Sequence, residues 1–140
     1  MTIELETPIT ATKVADDARL DFLPVKFFGP RLMLRGESLV YAWMSRLCPT
    51  YVGGLWDFYT LSNGGGFMSL RGGTPLRVCV VTNGFDDTMT VEAASIVACL
   101  FALCQLANET EDDALIERYH QLRDFAVDHP EAGLIFGAID

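Results

Sequence analysis

The sequence predicts an α+β fold: a compact single domain in which a small antiparallel β-meander of three to four strands packs with about four helices around a buried central helix. Three observations lead there. From Ala93 to Ala107 only Ser95 and Gln105 interrupt an apolar run, and a helix apolar on every side has no face to turn to water. Between Leu55 and Thr82 the apolar residues alternate and are separated by Asn- and Gly-rich turns, the pattern of strands joined by hairpins. Other segments carry apolar residues at helical spacing, enough to cover the central helix.

Residues 1–17 are polar and mixed, with Pro8 and the Thr-rich ITAT, and read as a loose N-terminal arm with a short edge strand near Thr2–Leu5. The domain itself spans 18–140. In DARLDFLPVKFFGP, Leu20, Leu23 and Phe27 fall at i, i+3 and i+7, which predicts short helical turns laid on the core and bent at Pro24. Arg31–Arg35 reads either as a strand or as the lead-in to a helix. From Gly36 to Cys48, Leu39, Val40, Trp43, Met44 and Leu47 share one helical face, and Pro49 ends the pattern.

Leu55–Leu61 is an aromatic-rich strand, Ser62–Gly66 a hairpin loop, and Phe67–Arg71 the returning strand. Leu76–Thr82 is a third strand, apolar on both faces and so expected at the centre of the meander. Phe85–Met89 adds a short fourth. Thr90 is placed to cap the central helix, Val91–Ala107, with Glu92 in its first turn. Ala114–Val127 is amphipathic, with Leu115, Tyr119, Leu122 and Phe125–Ala126 inward, and Glu131–Ile139 is a short closing helix.

The net charge of −9 is uneven: residues 1–77 hold eight basic and seven acidic side chains, residues 78–140 two basic and twelve acidic. That balance excludes a basic nucleic-acid footprint and repels DNA. The N-terminus lacks the basic and apolar regions of a signal peptide, and the apolar run is shorter than the ~20 residues of a bilayer span. A cytoplasmic protein is expected, with no membrane partner.

Little in the sequence supports catalysis. Cys48, Cys79, Cys99 and Cys104 form no CxxC pair and suit neither zinc nor a disulfide framework. His120, four residues before Asp124, reads as half of a surface pair, and His129 as a helix-end residue bonding free carbonyls or favouring the helix dipole. SNGGG lacks the phosphate-loop pattern. No catalytic residue, metal site or cofactor is expected. Glu111, Asp112, Asp113 and Glu117 form a candidate acidic surface at the start of a helix.

The runs GPRLMLRGESLVYAWMSRLCPTYVGGLWDFYTLSNGGGFM, NGFDDTMTVEAASIVACLFAL and ERYHQLRDFAVDHPEAGLIFGAID, together with RLDFLP, resemble the antirestriction proteins of the ArdB/KlcA family. The likeness extends from Arg19 to Asp140. It implies a compact mixed α/β fold, an origin on plasmids or other mobile elements, and non-enzymatic protection of incoming DNA from type I restriction-modification enzymes. The partner implied is such an enzyme or an accessory factor of it, engaged without direct nucleic-acid binding by a monomer or weak homodimer. The exposed parts of Arg31–Glu37, the edge around Trp56–Asp57 and the acidic helix start are candidate contact surfaces. Arg19, Arg35, Glu37 and Trp56, taken from the family-like motifs, are the partner-binding residues expected, since Trp and Arg are enriched in interface hot spots. Acidic DNA mimicry is the second reading, and a thiol-dependent hydrolase the enzymatic alternative.

Overall fold

A computed structural model of the chain describes residues 7–140. The strand expected at Thr2–Leu5 lies outside them. The elements run β1 (Ala11–Lys13), a 3₁₀ turn (Asp16–Ala18), α1 (Arg19–Asp21), a π-helical turn (Phe22–Phe27), α2 (Met33–Leu47), β2 (Trp56–Leu61), β3 (Gly66–Leu70), β4 (Leu76–Val80), β5 (Phe85–Met89), α3 (Val91–Thr110), α4 (Asp113–Val127) and α5 (Ala132–Ile139). The α+β class holds, with α3 at the centre of the helices and sheets.

α3 is buried as its sequence demands: Ala93–Leu100, Ala102, Leu103, Leu106 and Ala107 are all in the interior. It continues to Thr110, so its length and composition would suffice for a membrane span, yet most of it is enclosed by the fold. The Thr90 hydroxyl accepts from Ala93 N at 3.2 Å, satisfying a first-turn amide. At the other end Glu111 adopts φ 54°, the one left-handed non-glycine among the described residues. A side chain there costs about 1–2 kcal/mol. Glu111→Gly is therefore expected to raise stability by roughly 0.5–1 kcal/mol, less than the full strain because glycine also gains unfolded-state entropy. An increase in the thermal midpoint checks this.

Ser95 and Cys99, one turn apart on α3, meet the outer edge of β3. Ser95 Oγ accepts from Leu70 N at 3.0 Å, and Cys99 Sγ accepts from Met68 N and donates to Met68 O, both at 3.4 Å. A strand edge carries unpaired N–H and C=O groups, and α3 satisfies them in place of another strand. The three-stranded sheet accordingly runs β1-β2-β3 and stops there, while β4 and β5 form a separate antiparallel pair. The single meander anticipated by the alternating pattern is thus split in two. The third strand is not central: it pairs with β5 alone, and Val81 is 94% exposed. Ser95→Ala should cost about 1–2 kcal/mol by leaving the Leu70 amide unpaired, read as a lowered urea midpoint at constant slope.

The segment before α2 also departs from expectation. Phe22, Phe27 and Phe28 are buried, while Leu20 is 90% exposed. Pro24 has no N–H to continue an α-helical ladder, and the turn widens so that Phe28 N donates to Leu23 O, five residues back, at 2.9 Å. Wider turns bring residues five apart onto one face, so Phe22 and Phe27 replace the stripe Leu20, Leu23, Phe27. Arg31–Arg35 proves to lead into α2, which begins at Met33. Gly36 lies inside that helix because the Phe28 ring packs flat on it; a Cβ there would stand 2.5 Å from the ring.

Within the described part of the N-terminal segment, residues 11–13 form a strand. β1 pairs antiparallel with β2, Ala11 opposite Leu61 and Lys13 opposite Tyr59, and Val14 N donates to Phe58 O at 2.8 Å. In the SNGGG turn, Asn63 Nδ2 donates to Gln121 O at 2.9 Å and Gln121 Nε2 to Asn63 O at 3.0 Å, clamping the hairpin to α4.

Candidate functional site

β2 carries Trp56, Phe58 and Tyr59, and its one charged residue is Asp57, whose side chain is only 11% exposed. A carboxylate withdrawn from water needs compensation, and three cations supply it. Arg71 Nε lies 2.8 Å from Asp57 Oδ1, Lys13 Nζ 3.5 Å and Arg19 Nη1 3.7 Å. β1 brings Lys13 alongside β2, the end of β3 delivers Arg71, and the 3₁₀ turn returns the chain so that Arg19 crosses the same edge. β1 ends before Trp56, and Arg19 Nη2 takes the vacant strand's place by donating to Trp56 O at 2.7 Å. Its guanidinium lies 4.5 Å from the centre of the Phe58 ring, a cation–π geometry.

The cluster continues into α2. Tyr41 packs on Trp56 with ring centres 5.5 Å apart, and Trp56 Nε1 donates to Tyr51 Oη at 3.3 Å. Burial, followed by the charge of Glu37, pushes the Tyr41 hydroxyl up to about 12. Arg19, Trp56 and Glu37 thus converge around Tyr41, with Trp56 buried and Glu37 half-buried. Arg35 lies elsewhere: its Nη2 donates to Glu109 at 2.8 Å, and this bond holds the Glu109 carboxyl below its usual range.

The acidic group divides in the same way. Asp112 caps α4, accepting from Ala114 N at 2.9 Å, and faces Arg31 at 3.7 Å. Glu111, Asp113 and Glu117 are exposed and, among the described residues, in no ion pair. Lys13 and Arg71 complete a cluster of which the sequence marks Arg19 and the Trp56–Asp57 edge. The available signal was Asp57 itself, a lone carboxylate in an aromatic strand.

A cavity of about 400 Å³ adjoins the cluster, lined by Asp57, Tyr59, Ser69, Arg71, Thr90 and Glu92 among others. On its far side His129 Nδ1 accepts from Glu131 N at 3.0 Å, leaving Nε2 to donate to Glu92 at 2.8 Å. His129 therefore stands just past the end of α4, as expected, and its ring bonds an amide and a carboxylate and not free carbonyls. Glu131 accepts from both the amide and the hydroxyl of Thr90, tying α5 to the start of α3. His120 is exposed beside Tyr119, and its anticipated pair with Asp124 is absent among the described ion pairs.

Burial pushes the thiols of Cys48 and Cys99 up to about 11 and about 12, where neither is a thiolate near neutrality. Cys79 donates to Asp86 at 3.6 Å and Cys104 accepts from Asn108 at 3.7 Å; no cysteine–histidine bond occurs among the described residues. Among those residues no three His, Cys, Asp or Glu side chains converge as metal ligands. The Asp57 cluster holds three cationic side chains around one carboxylate at the edge of β2.

The family model for antirestriction proteins matches residues 49–140. Two Escherichia coli proteins named antirestriction protein KlcA are 53% and 51% identical, over 96% and 99% of this chain and 97% and 98% of their own lengths. The uncharacterized protein YafX of Escherichia coli K12 is 45% identical over 96% of this chain and 90% of its own length. A solved structure from work on KlcA and ArdB matches with a TM-score of 0.89 and 55% identity over the whole of both chains. Those proteins are described as having a novel fold and antirestriction activity against type I DNA restriction systems in vivo but not in vitro.

Proposed function

Because the chain belongs to the antirestriction protein family, we propose that it protects incoming plasmid or mobile-element DNA by inhibiting type I restriction-modification enzymes, through protein contacts and without catalysis. The observation that carries this reading is the end-to-end match to a KlcA/ArdB structure whose proteins act in vivo but not in vitro. An inhibitor that merely occupied the enzyme's DNA channel would act on purified enzyme. A requirement for the cell favours an accessory factor, or a state of the enzyme reached only there, as the partner. The reading implies a cytoplasmic protein.

Charge placement supports contact over mimicry. Of the twelve carboxylates in residues 78–140, Asp86, Glu109, Asp112 and Asp140 each face an arginine, and Glu92 faces His129. Duplex DNA presents a charge about every 1.7 Å along its axis, and the four carboxylates paired with arginine interrupt the continuous ridge that mimicry needs.

Plating unmodified phage on a restricting host tests the proposal. The expected result is relief of restriction when the protein is expressed, with methylation retained; no relief would sink it. DNA displacement from the purified enzyme separates the two mechanisms. A mimic competes with a steep salt dependence, whereas no displacement is expected here.

A further inference from the structure

α2 and α3 pack side by side in opposite directions, and the groove between them on the outer surface is crossed by a series of side-chain contacts. The Trp43 and Phe101 rings stack with centres 4.5 Å apart and planes 12° from parallel. Trp43 Nε1 donates to Gln105 Oε1 at 2.9 Å, Gln105 Nε2 to Glu109 Oε1 at 3.0 Å, and Arg35 closes the series on Glu109. Arg46 lies over the indole at 4.6 Å. Trp43 is therefore held by a ring, a hydrogen bond and a cation while remaining partly exposed. An aromatic side chain already ordered in the free protein loses little entropy on binding.

Hollows flank this pair. One of about 410 Å³ opens toward Cys104 and Glu109, and a smaller one of about 90 Å³ toward Val80 and Val81. The exposed Val81 and Cys104 stand on their rims. Phe101 to Glu109 spans about 12 Å along α3, a little over two helical turns. The two ends differ in charge. Arg46 stands at the Val81 end. At the other end α3 terminates in its negative dipole pole, followed by Glu111, Asp113 and Glu117, which have no cation among the described ion pairs.

We propose that the α2–α3 groove docks a short amphipathic helix of a protein partner, its apolar face seated on Trp43 and Phe101 and its Lys- or Arg-bearing end against Glu111 and Asp113. A groove between two helices accepts a third by the usual helix-in-groove packing. The acidic corner selects basic character, and Arg46 sets the direction in which the helix lies. The inference rests on the reading that the chain works through a protein partner, and adds where and of what chemistry.

The probes are two synthetic amphipathic peptides with leucine at helical spacing, one otherwise lysine and one otherwise glutamate, titrated into the ¹⁵N-labelled full chain. The lysine peptide is expected to shift the Trp43 indole and the amides of Phe101 and Cys104 in a salt-sensitive way, and the glutamate peptide to leave them in place. Val81→Arg and Cys104→Arg, both at exposed positions, should keep the native circular dichroism spectrum, lose those shifts and reduce restriction relief by about ten-fold or more. Equal shifts from both peptides, shifts confined to another surface, or wild-type relief by the two folded variants would each overturn the proposal. So would Trp43 shifts that grow with protein concentration alone, which would assign the groove to a second copy of the chain. If wild-type protein gives no relief at all, the functional reading fails, and the peptide titration still decides the groove.

Discussion

Leu103→Asp is expected to leave no folded protein at 25 °C. Leu103 is fully buried in α3, the helix against which α2, α4, α5 and β3 all pack. The substitution removes apolar contacts worth about 2–5 kcal/mol and puts a carboxylate where nothing can pair with it, adding several kcal/mol more. A typical domain is stable by only about 5–15 kcal/mol, so the two costs consume most or all of it. Circular dichroism should show loss of helix, and restriction relief should vanish with it. A folded variant would contradict the placement of α3. Leu100, 1% exposed on the same helix, should behave alike.

The second large effect is at Asp57. Asp57→Ala removes the one anion facing Lys13, Arg19 and Arg71, and Arg19 is the least able of the three to return to water, its side chain being 29% exposed. Breaking a fully buried pair costs about 3–5 kcal/mol; with Lys13 and Arg71 reaching solvent, about 2–3 kcal/mol is expected here. In a chain of this length that lowers the melting temperature by roughly 5–10 °C. Added salt should recover part of the loss, because it screens repulsion among the remaining cations. A loss insensitive to salt would mean that packing, not charge, is what Asp57 contributes.

Much of this architecture was legible in the chain. The run after Thr90 is a central helix because no arrangement of its side chains offers water a face. The helices at Gly36–Cys48 and Ala114–Val127 were marked by their apolar spacing, and Trp56–Leu61 with its returning strand by alternation around SNGGG. The strand pairing was not legible. Whether β3 continues into β4 depends on which groups reach its free edge, and the answer comes from Ser95 and Cys99, which are distant in sequence. The phenylalanine turn escaped for a local reason: residues three and four apart define a face only where the helix keeps its ordinary pitch, and around Pro24 it widens.

The candidate site divides along the same line. Arg19, Glu37 and Trp56 converge in space although eighteen residues or more separate each from the next, whereas Arg35, two residues before Glu37, belongs to another surface. Sequence by itself determined the class of the fold, its central helix and the family likeness, because these rest on periodicity and on runs of residues read locally. Tertiary structure decided which edge α3 seals, which carboxylates are neutralised and which aromatic pair remains at the surface. Those outcomes depend on hydrogen bonds and ion pairs over a few ångströms between groups far apart along the chain, which no local pattern encodes.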